Sequence, residues 1–229
     1  MPEGSEVRQM FARVAGRYDR ANHLLSMGVD RGWRRAAVRS TGVRPGDRVL
    51  DVCAGTGDLS FAFARAGARV VGTDFCPEML ACTEAKGPPR ARPRFVAADA
   101  LELPFSGRPF DVASVAFGIR NVSDPILALR EMARVTRVGG CVVVLEFARP
   151  RVPVLGTLYL LYFRRVLPVL GKWITGDRGG AYSYLPESVM AFPERGEFLQ
   201  MMRAAGLDSP SCRTLTGGIA ALYRAEVRA

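Results

Sequence analysis

The hydrophobic and polar positions of residues 48–147 follow two alternating patterns. Five short apolar runs have the length and composition of buried strands, at 48–52, 68–73, 94–97, 110–117 and 141–147. Amphipathic stretches between them predict helices at 58–66, 77–85 and 124–136. The last helix has Asp124 as its N-cap and Pro125 in its first turn, and Gly139-Gly140 separates it from the fifth strand. This alternation predicts a mostly parallel sheet with helices on both faces.

The regions on either side of this alternation have a different character. Residues 1–47 are polar with helical spacing, and we expect a helical N-terminal cap. Residues 149–190 break the rhythm with proline, glycine and aromatic residues, so we interpret them as an insertion and a candidate substrate lid. A helix at 192–205 and strands at 211–215 and 218–227 complete the pattern. Residues 1–229 are therefore predicted to form a single Rossmann-like α/β domain with a mostly parallel seven-stranded sheet.

Composition narrows the function classes. The five cysteines form no C-x-x-C pair and His23 is the only histidine, which argues against a structural zinc site. The longest apolar candidate, 152–163, is interrupted and too short for a spanning helix, and the N-terminus has no signal-peptide pattern. We therefore expect a cytoplasmic protein. The net charge of +10 is compatible with nucleic acid, an anionic membrane or acidic partners.

A glycine loop joins the first strand to the first helix of the alternation. Residues 51–58 read Asp-Val-Cys-Ala-Gly-Thr-Gly-Asp. Gly55 and Gly57 allow a tight turn close to a ligand, and the helix N-terminus offers free N–H groups. Asp74 ends the second strand 19 residues after Gly55, where an acidic side chain accepts hydrogen bonds from ribose hydroxyls.

The charges around this loop favour one cofactor over another. Ser60 stands where a dinucleotide fingerprint has its third glycine. Asp51 and Asp58 bracket the loop with negative charge, which suits a cationic ligand better than a pyrophosphate. S-adenosylmethionine carries a sulfonium and an ammonium group, so we predict that it binds here, with Asp99 and Ala100 facing the adenine. The fold is then a Rossmann-like S-adenosylmethionine-dependent methyltransferase.

Several motifs resemble those of one family, the ubiquinone/menaquinone-biosynthesis C-methyltransferases. The similar segments cover most of the chain: Phe-Ala-Arg-Val-Ala-Gly-Arg-Tyr-Asp at 11–19, Phe-Gly-Ile-Arg-Asn-Val at 117–122, Leu-Glu-Phe at 145–147, Tyr-Ser-Tyr-Leu-Pro-Glu-Ser at 182–188 and Leu-Thr-Gly-Gly-Ile-Ala at 215–220. The resemblance implies methylation of a ring carbon of a polyprenyl quinol. It also implies cofactor contacts at Thr56, Asp74, Asp99 and Ala100. Ala116 departs from a common serine, and Asp30 from a frequent histidine.

Methyl transfer from a sulfonium to a ring carbon mainly requires alignment of donor and acceptor, which contributes on the order of 7–11 kcal/mol. A base that removes a phenolic proton adds about 10²–10⁴-fold. On the family motifs, Tyr182, Tyr184 and Glu146 are candidate bases, Arg120 is a candidate anion stabiliser and Asn121 can orient the ring. Each also has a structural interpretation, as a core aromatic, a strand-end charge or a turn residue.

The acceptor remains open at this stage. Demethylmenaquinol is the first choice, and a polyprenyl methoxybenzoquinol of ubiquinone biosynthesis is the alternative. A nucleic-acid methyltransferase would fit the basic charge, but the exocyclic-amine motif is absent after the fourth strand and no cysteine follows a proline. A non-catalytic cofactor-binding subunit is a third possibility. The sequence does not decide whether the chain forms a homo-oligomer.

The predicted insertion mixes apolar and basic residues. Between 149 and 180 six basic residues accompany one acid: Arg149, Arg151, Arg164, Arg165, Lys172 and Arg178 against Asp177. This mixture predicts a quinol lid and a peripheral contact with the inner face of an anionic membrane. The alternative is a helix packed on the sheet, with its arginines in solvent.

Overall fold

The computed structural model describes residues 4–86, 92–150, 161–167, 169 and 181–228. Within this part of the chain the helices are α1 (Gly4–Leu25), α2 (Val29–Thr41), α3 (Asp58–Arg65), α4 (Pro77–Ala81), α5 (Pro125–Val135), α6 (Ala181–Ala191) and α7 (Arg195–Ala204). The strands are β1 (Arg48–Val52), β2 (Arg69–Asp74), β3 (Arg94–Ala97), β4 (Phe110–Ala116), β5 (Thr136–Phe147), β6 (Leu207–Leu215) and β7 (Ala220–Val227).

The described strands form one seven-stranded sheet in the order β3-β2-β1-β4-β5-β7-β6. Strands β1 to β5 pair in parallel, and β7 runs antiparallel to both of its neighbours, β5 and β6. The mostly parallel seven-stranded sheet is confirmed. Its central strands are buried on both faces, as the apolar runs require: four of the five residues of β1 are buried.

The strand order reverses between β1 and β4. The chain places β2 and β3 on one side of β1 and then crosses back to place β4 on the other side. In open α/β sheets a ligand crevice forms outside the carboxyl ends of the strands at such a point. The glycine loop follows β1 and the Phe117-Gly118 pair follows β4, so both motifs lie at this crevice.

The interval between α5 and β5 differs from the sequence prediction. Asp124 caps α5 as predicted, because its side chain accepts from the Leu127 N–H at 3.0 Å. The helix ends at Val135, however, and β5 already begins at Thr136. The predicted break at Gly139-Gly140 is wrong, because these glycines lie within the strand where its register with β4 shifts. Gly139 has a φ of +73°, so the glycine pair marks an irregular strand rather than a helix end.

The C-terminal third also has different boundaries. The predicted helix at 192–205 begins later, at Arg195, with a capping box formed by Glu194 and Glu197. A separate helix, α6, occupies 181–191 with Pro186 inside it. Strand β6 begins at Leu207 rather than at 211, and β7 begins at Ala220 rather than at 218.

The predicted N-terminal cap consists of two helices, α1 and α2. The buried face of α2 packs on the sheet through Trp33, whose indole N–H donates to the Thr216 hydroxyl at 2.8 Å. The C-terminal end of α1 packs on the short helical segment Tyr162–Val166 through Leu25. Much of the predicted lid at 149–190 lies outside the described residues. In the part of the chain that is described, every helix is too short or too polar to cross a bilayer.

Candidate functional site

A cavity of about 300 Å³ opens at the point where the strand order reverses. It is bordered by the loops after β1 and β4, by α1 and α2, and by α6. The two loops approach each other so closely that a Cβ on Gly118 would lie 2.4 Å from the Cβ of Cys53. Glycine is therefore required at 118, because any side chain there would push the two loops apart.

The glycine loop has the tight geometry predicted from its sequence. Gly55 and Gly57 have φ angles of +55° and +83°, and the Gly57 N–H donates to the Ala54 carbonyl at 2.8 Å. A Cβ on Gly57 would lie 2.8 Å from the Phe95 ring. Six of the seven predicted cofactor residues border the cavity, and the seventh, Gly57, sets the turn that places the others. Their role in binding stays a prediction.

Asp74 holds the loop in place. Its carboxylate accepts from the Gly55 N–H at 2.8 Å and from the Cys76 N–H at 2.9 Å. Burial raises the pKa of Asp74, and these N–H donors partly offset the rise. Each carboxylate oxygen has a second lone pair, so Asp74 can accept a ligand hydroxyl while it keeps the loop folded.

Asp51 is the more deeply buried acid of the site. Burial raises its pKa to about 7, although the Ser60 and Ser114 hydroxyls donate to the carboxylate and lower the pKa. Ser60, which replaces the third glycine of a dinucleotide fingerprint, therefore has a structural role in the carboxylate's hydrogen bonding. Asp51 borders the cavity with a charge that titrates near neutral pH.

Asp99 and Ala100 lie together on the cavity wall that follows β3. The Asp99 carboxylate accepts from the Leu101 N–H at 2.9 Å, which closes a local turn. Asp99 is exposed and Ala100 is buried, so the pair presents a carboxylate beside an apolar surface. This combination suits the polar edge and the flat face of a purine.

Asp58 differs from its expected role as a negative charge beside the cofactor. Lys86 donates to its carboxylate at 2.8 Å, and Arg34 lies 3.6 Å from it. Burial alone would raise the pKa of Asp58, but Arg34 and Lys86 outweigh burial and lower it. The protein thus supplies the countercharge of Asp58, whereas the carboxylates of Asp51 and Asp74, which also border the cavity, accept from hydroxyl and backbone N–H groups.

His23 belongs to this charged cluster. Its Nδ1 lies 2.8 Å from Asp30 and its Nε2 lies 3.5 Å from Asp58. These three residues have the ligand types of a metal site. Arg34, however, forms ion pairs with both carboxylates, so we interpret the group as a salt-bridge cluster that joins α1, α2 and α3.

Lys86 extends the cluster to the glycine loop. It forms an ion pair with Asp19 of α1 as well as with Asp58, and the Thr56 hydroxyl donates to Asp19. The predicted cofactor residue Thr56 is therefore tied to the N-terminal cap. Helix α1 covers the loop through polar contacts that the sequence pattern alone does not reveal.

Arg120 and Glu146 form a buried ion pair at the other end of the cavity. The Arg120 Nη1 donates to Glu146 Oε1 at 2.8 Å and to the Phe117 carbonyl, and its Nε donates to the Ser188 hydroxyl at 3.3 Å. Burial raises the pKa of Glu146, whereas Arg120 lowers it. The other carboxylate oxygen of Glu146 has no hydrogen-bond partner among the described residues.

The remaining candidates for the acceptor side lie around this ion pair. Asn121 borders the cavity, and its amide oxygen is buried without a hydrogen-bond partner in the described part of the chain. Tyr184 borders the cavity from α6, and burial raises the pKa of its hydroxyl. Tyr182 belongs to α6, but its side chain lies outside the described residues. Arg120, Asn121 and Tyr184 thus surround one space.

Sequence reasoning missed several cavity residues on the N-terminal cap. Tyr18 of α1 borders the cavity; burial raises the pKa of its hydroxyl, and the charge of Arg120 lowers it. Trp33 and Phe117 form a wall with Phe147, their ring centroids 4.5–6.1 Å apart. The motif position of Tyr18 and the helical spacing of Tyr18 and Trp33 were visible in the sequence, but the side of each helix that faces the crevice was not.

The two ends of the cavity suit two different ligands. The end with the glycine loop offers carboxylates to a cation and an apolar wall to a flat ring, which fits S-adenosylmethionine. The other end offers aromatic side chains and a buried guanidinium, which fits an aromatic ring that carries phenolic oxygens. The residues present therefore fit the predicted cofactor and an aromatic acceptor in one cavity.

Comparison with protein families gives a match over nearly the whole chain. The model of the ubiE/COQ5 methyltransferase family matches residues 2–226. The "Ubiquinone/menaquinone biosynthesis C-methyltransferase UbiE" of Bdellovibrio bacteriovorus is 46% identical, over 99% of this chain and 98% of that protein. The "Demethylmenaquinone methyltransferase" of Thermus thermophilus is 48% identical, over 93% of this chain and 98% of that protein.

Comparison with solved structures agrees on the fold. A Thermotoga maritima protein described as a SAM-dependent methyltransferase and possible histamine N-methyltransferase aligns with a TM-score of 0.67, over 96% of this chain and 99% of that chain. The two sequences are 18% identical, so this similarity concerns the fold and not the acceptor.

Proposed function

Because the chain belongs to the ubiE/COQ5 methyltransferase family and is an S-adenosylmethionine-dependent C-methyltransferase, we propose that it methylates a ring carbon of a polyprenyl quinol, with demethylmenaquinol as the acceptor and menaquinol as the product. The benzoquinol of ubiquinone biosynthesis is the second candidate, because the relatives' names include both pathways. The nucleic-acid alternative has no support in the site, where aromatic side chains line the acceptor end of the cavity.

The observation that carries this proposal is the continuity of the cavity. The acidic glycine loop and the aromatic, arginine-containing end border the same space of about 300 Å³. An in-line displacement needs donor and acceptor in contact along one axis. A single cavity with two chemically distinct ends provides that arrangement without a large rearrangement of the sheet.

The end of the cavity with the glycine loop binds and orients the cofactor. When bound, S-adenosylmethionine supplies an activated methyl group on its sulfonium. Asp74 would accept from the ribose hydroxyls while it keeps Gly55 in place, and Asp99 with Ala100 would hold the adenine. Asp51 and Thr56, which border the same end of the cavity, would lie near the amino-acid part of the cofactor.

The acceptor end holds the ring and stabilises negative charge. The quinol carbon becomes a stronger nucleophile as a phenolic proton leaves, and the Arg120 guanidinium stabilises the resulting phenolate. Glu146 holds Arg120 in this orientation through the 2.8 Å ion pair. The Asn121 amide oxygen, which has no partner among the described residues, can accept a hydrogen bond from a phenolic O–H, and Tyr184 or Tyr182 of α6 relays the departing phenolic proton to solvent.

Three finer parts of the proposal concern the rest of the molecule. Residues 1–47 act as a cap over the cofactor, and residues 149–190 act as a substrate lid. The protein works in the cytoplasm with peripheral contact at the inner face of the membrane, where a polyprenyl quinol resides. A homo-oligomer is compatible with this arrangement.

The test is methyl transfer by the purified full-length protein. Methyl-labelled S-adenosylmethionine is supplied with reduced demethylmenaquinone bearing a short prenyl chain, and the product is identified by mass spectrometry. We expect label on the ring carbon of the quinol and no transfer to the oxidised quinone, whose ring carbon is a poor nucleophile.

Two parallel reactions separate the candidates. The methoxybenzoquinol takes the place of the naphthoquinol in one, and unmodified RNA in the other. Methyl transfer to the benzoquinol alone would assign the protein to ubiquinone biosynthesis instead of menaquinone biosynthesis. Methyl transfer to RNA alone would refute the quinol proposal.

A further inference from the structure

The exposed large hydrophobic side chains of the described residues are concentrated in one region. Six of the nine belong to the α1–α2 junction and to the segment 161–169, and we call these six the apolar rim: Leu24, Met27, Val29, Leu161, Val166 and Val169. Met27 is 86% exposed and Leu24 is 64% exposed. Exposed apolar side chains that are grouped in this way mark an interaction surface, whereas scattered ones do not.

The two segments of the apolar rim are in contact. The Tyr162 hydroxyl donates to the Leu25 carbonyl at 3.0 Å. Leu25 and Leu167 belong to the same buried cluster, with Tyr162 packed against it. The apolar rim is therefore one surface built from two parts of the chain rather than two separate patches.

The apolar rim adjoins the cavity. Two of its members, Met27 and Val29, border the cavity, as do Leu25, Tyr162 and Leu167 next to them. The cavity volume of about 300 Å³ is at the lower end of the range of roughly 300–1,000 Å³ for ligand pockets. A cavity of this size has no room for a polyprenyl tail beside a cofactor and a ring, so the tail has to leave it, and this apolar wall is a route to the outside.

Arginines accompany the apolar rim along both helices. On the described parts of α1 and α2 the exposed charged residues are seven arginines and one acid, Glu6: the arginines are 8, 13, 17, 20, 31, 35 and 39. Arg13, Arg17, Arg20 and Leu24 follow helical spacing along one face of α1. Arg31, Arg35 and Arg39 do so along α2. Apolar side chains beside such arginine stripes are typical of a surface that binds an anionic bilayer.

We propose that the apolar rim and the arginine stripes of α1 and α2 dock on an anionic lipid bilayer, and that the prenyl tail of the acceptor passes from the cavity across the apolar rim into the lipid. This inference rests on the proposed function, because it assigns a path to the tail of that acceptor. It places the membrane surface on the N-terminal cap as well as on the segment 161–169. A second copy of the chain is a poorer occupant, since two such faces would oppose arginine to arginine.

The experiment uses co-sedimentation of the full-length protein with vesicles of neutral lipid, with and without anionic lipid. The apolar variant is Leu24→Asp/Val166→Asp, neither of which borders the cavity. Its control is Leu127→Asp/Val138→Asp, two exposed apolar residues elsewhere with the same change in charge. We expect the apolar variant to reduce the partition coefficient on anionic vesicles by roughly tenfold or more, and the control to have little effect.

The charge variant is Arg20→Glu/Arg31→Glu. Its control is Arg69→Glu/Arg94→Glu, two exposed arginines at the amino ends of β2 and β3. We expect the charge variant to reduce binding by about tenfold or more, and added salt to reduce wild-type binding. Equal binding by wild type and both variants would overturn the proposal. An apolar variant that breaks an oligomer but binds vesicles normally would also overturn it, because the rim would then be a subunit interface.

Methyl transfer separates this inference from the proposed function. The apolar variant should lose at least roughly tenfold more in kcat/KM for a polyprenyl quinol embedded in vesicles than for a short-chain quinol in solution. Equal loss on both substrates would contradict a docking role. If wild type methylates neither quinol, the proposed function fails, and the vesicle binding of the variants still decides whether the apolar rim docks on lipid.

Discussion

The buried ion pair between Arg120 and Glu146 allows a quantitative test of the acceptor end. We expect Glu146→Gln to lower the free energy of unfolding by about 3 kcal/mol. Glutamine keeps an oxygen that accepts from Arg120 and from the Phe147 N–H, so the hydrogen bonds at 2.8 Å can persist. It removes the negative charge, however, and leaves a guanidinium only 4% exposed without its countercharge.

The magnitude follows from the burial of both partners. Removal of one partner from a buried ion pair costs roughly 3–5 kcal/mol, and the hydrogen bonds that remain place Glu146→Gln at the lower end. The amide NH₂ would also take the place of the Glu146 oxygen that has no partner among the described residues. A domain of ordinary stability has an unfolding free energy of about 5–15 kcal/mol. After a loss of about 3 kcal/mol it remains folded, but the decrease in its unfolding free energy is measurable.

Urea unfolding of the two single variants and the double variant provides the assay. Arg120→Met is the second single change, and the double variant closes a cycle whose coupling energy we expect to exceed about 1.5 kcal/mol. The control is Glu226→Gln, which disturbs the solvent-exposed pair with Arg224 and should cost less than about 1 kcal/mol. The reasoning is refuted if Glu146→Gln costs no more than this control, or if the two single effects simply add.

Three further predictions concern the same cavity. Asp74→Ala should weaken S-adenosylmethionine binding by about 1–3 kcal/mol in calorimetry, because the carboxylate that also holds Gly55 is lost. Asp111→Ala, far from the cavity, is the control, and equal affinities of Asp74→Ala and wild type for the cofactor would refute the assignment. Asn121→Ala should lower the rate of methyl transfer more than it lowers cofactor affinity, and equal losses would mean a role in the cofactor site or in folding. The native pKa of Asp51 is about 7, above the ordinary value of 3.8, so the native state binds the Asp51 proton more tightly than the unfolded state does. As the pH rises from about 4 to 7, wild type should therefore lose up to roughly 4 kcal/mol of unfolding free energy relative to Asp51→Asn. Parallel curves of unfolding free energy against pH for the two proteins would contradict this.

The sequence predicted the features that depend on neighbours along the chain. The apolar runs placed β1 to β4 within a residue or two, and the Asp124-Pro125 pair placed the start of α5. The Gly139-Gly140 pair misled the prediction, because a glycine in an irregular strand and a glycine after a helix look the same without the partner strand. In β5, a Cβ on Gly140 would lie 2.5 Å from the Asp111 carbonyl oxygen of β4. Only the tertiary structure reveals that this close approach of the two strands requires glycine.

The candidate site was predictable to the extent that it consists of loop motifs at strand ends. The glycine loop, Asp74 and the Arg120-Asn121 pair all border the crevice or shape it, as the α/β pattern required. Pairings between distant residues were not predictable. The sequence does not show that Glu146 holds Arg120, or that Lys86 neutralises Asp58, since such ion pairs depend on which faces of separate elements meet.

The position of β7 affects how this chain folds during its synthesis. Residues 220–227 follow the other six described strands along the chain, yet they fit between β5 and β6 rather than at an edge. A nascent chain that lacks them presents β5 with an unpaired edge of buried, strongly apolar residues, and β6 has no strand to pair with. Unpaired edges of this kind favour aggregation, so a stalled or truncated translation product should need a chaperone even though five strands of its sheet can already pair.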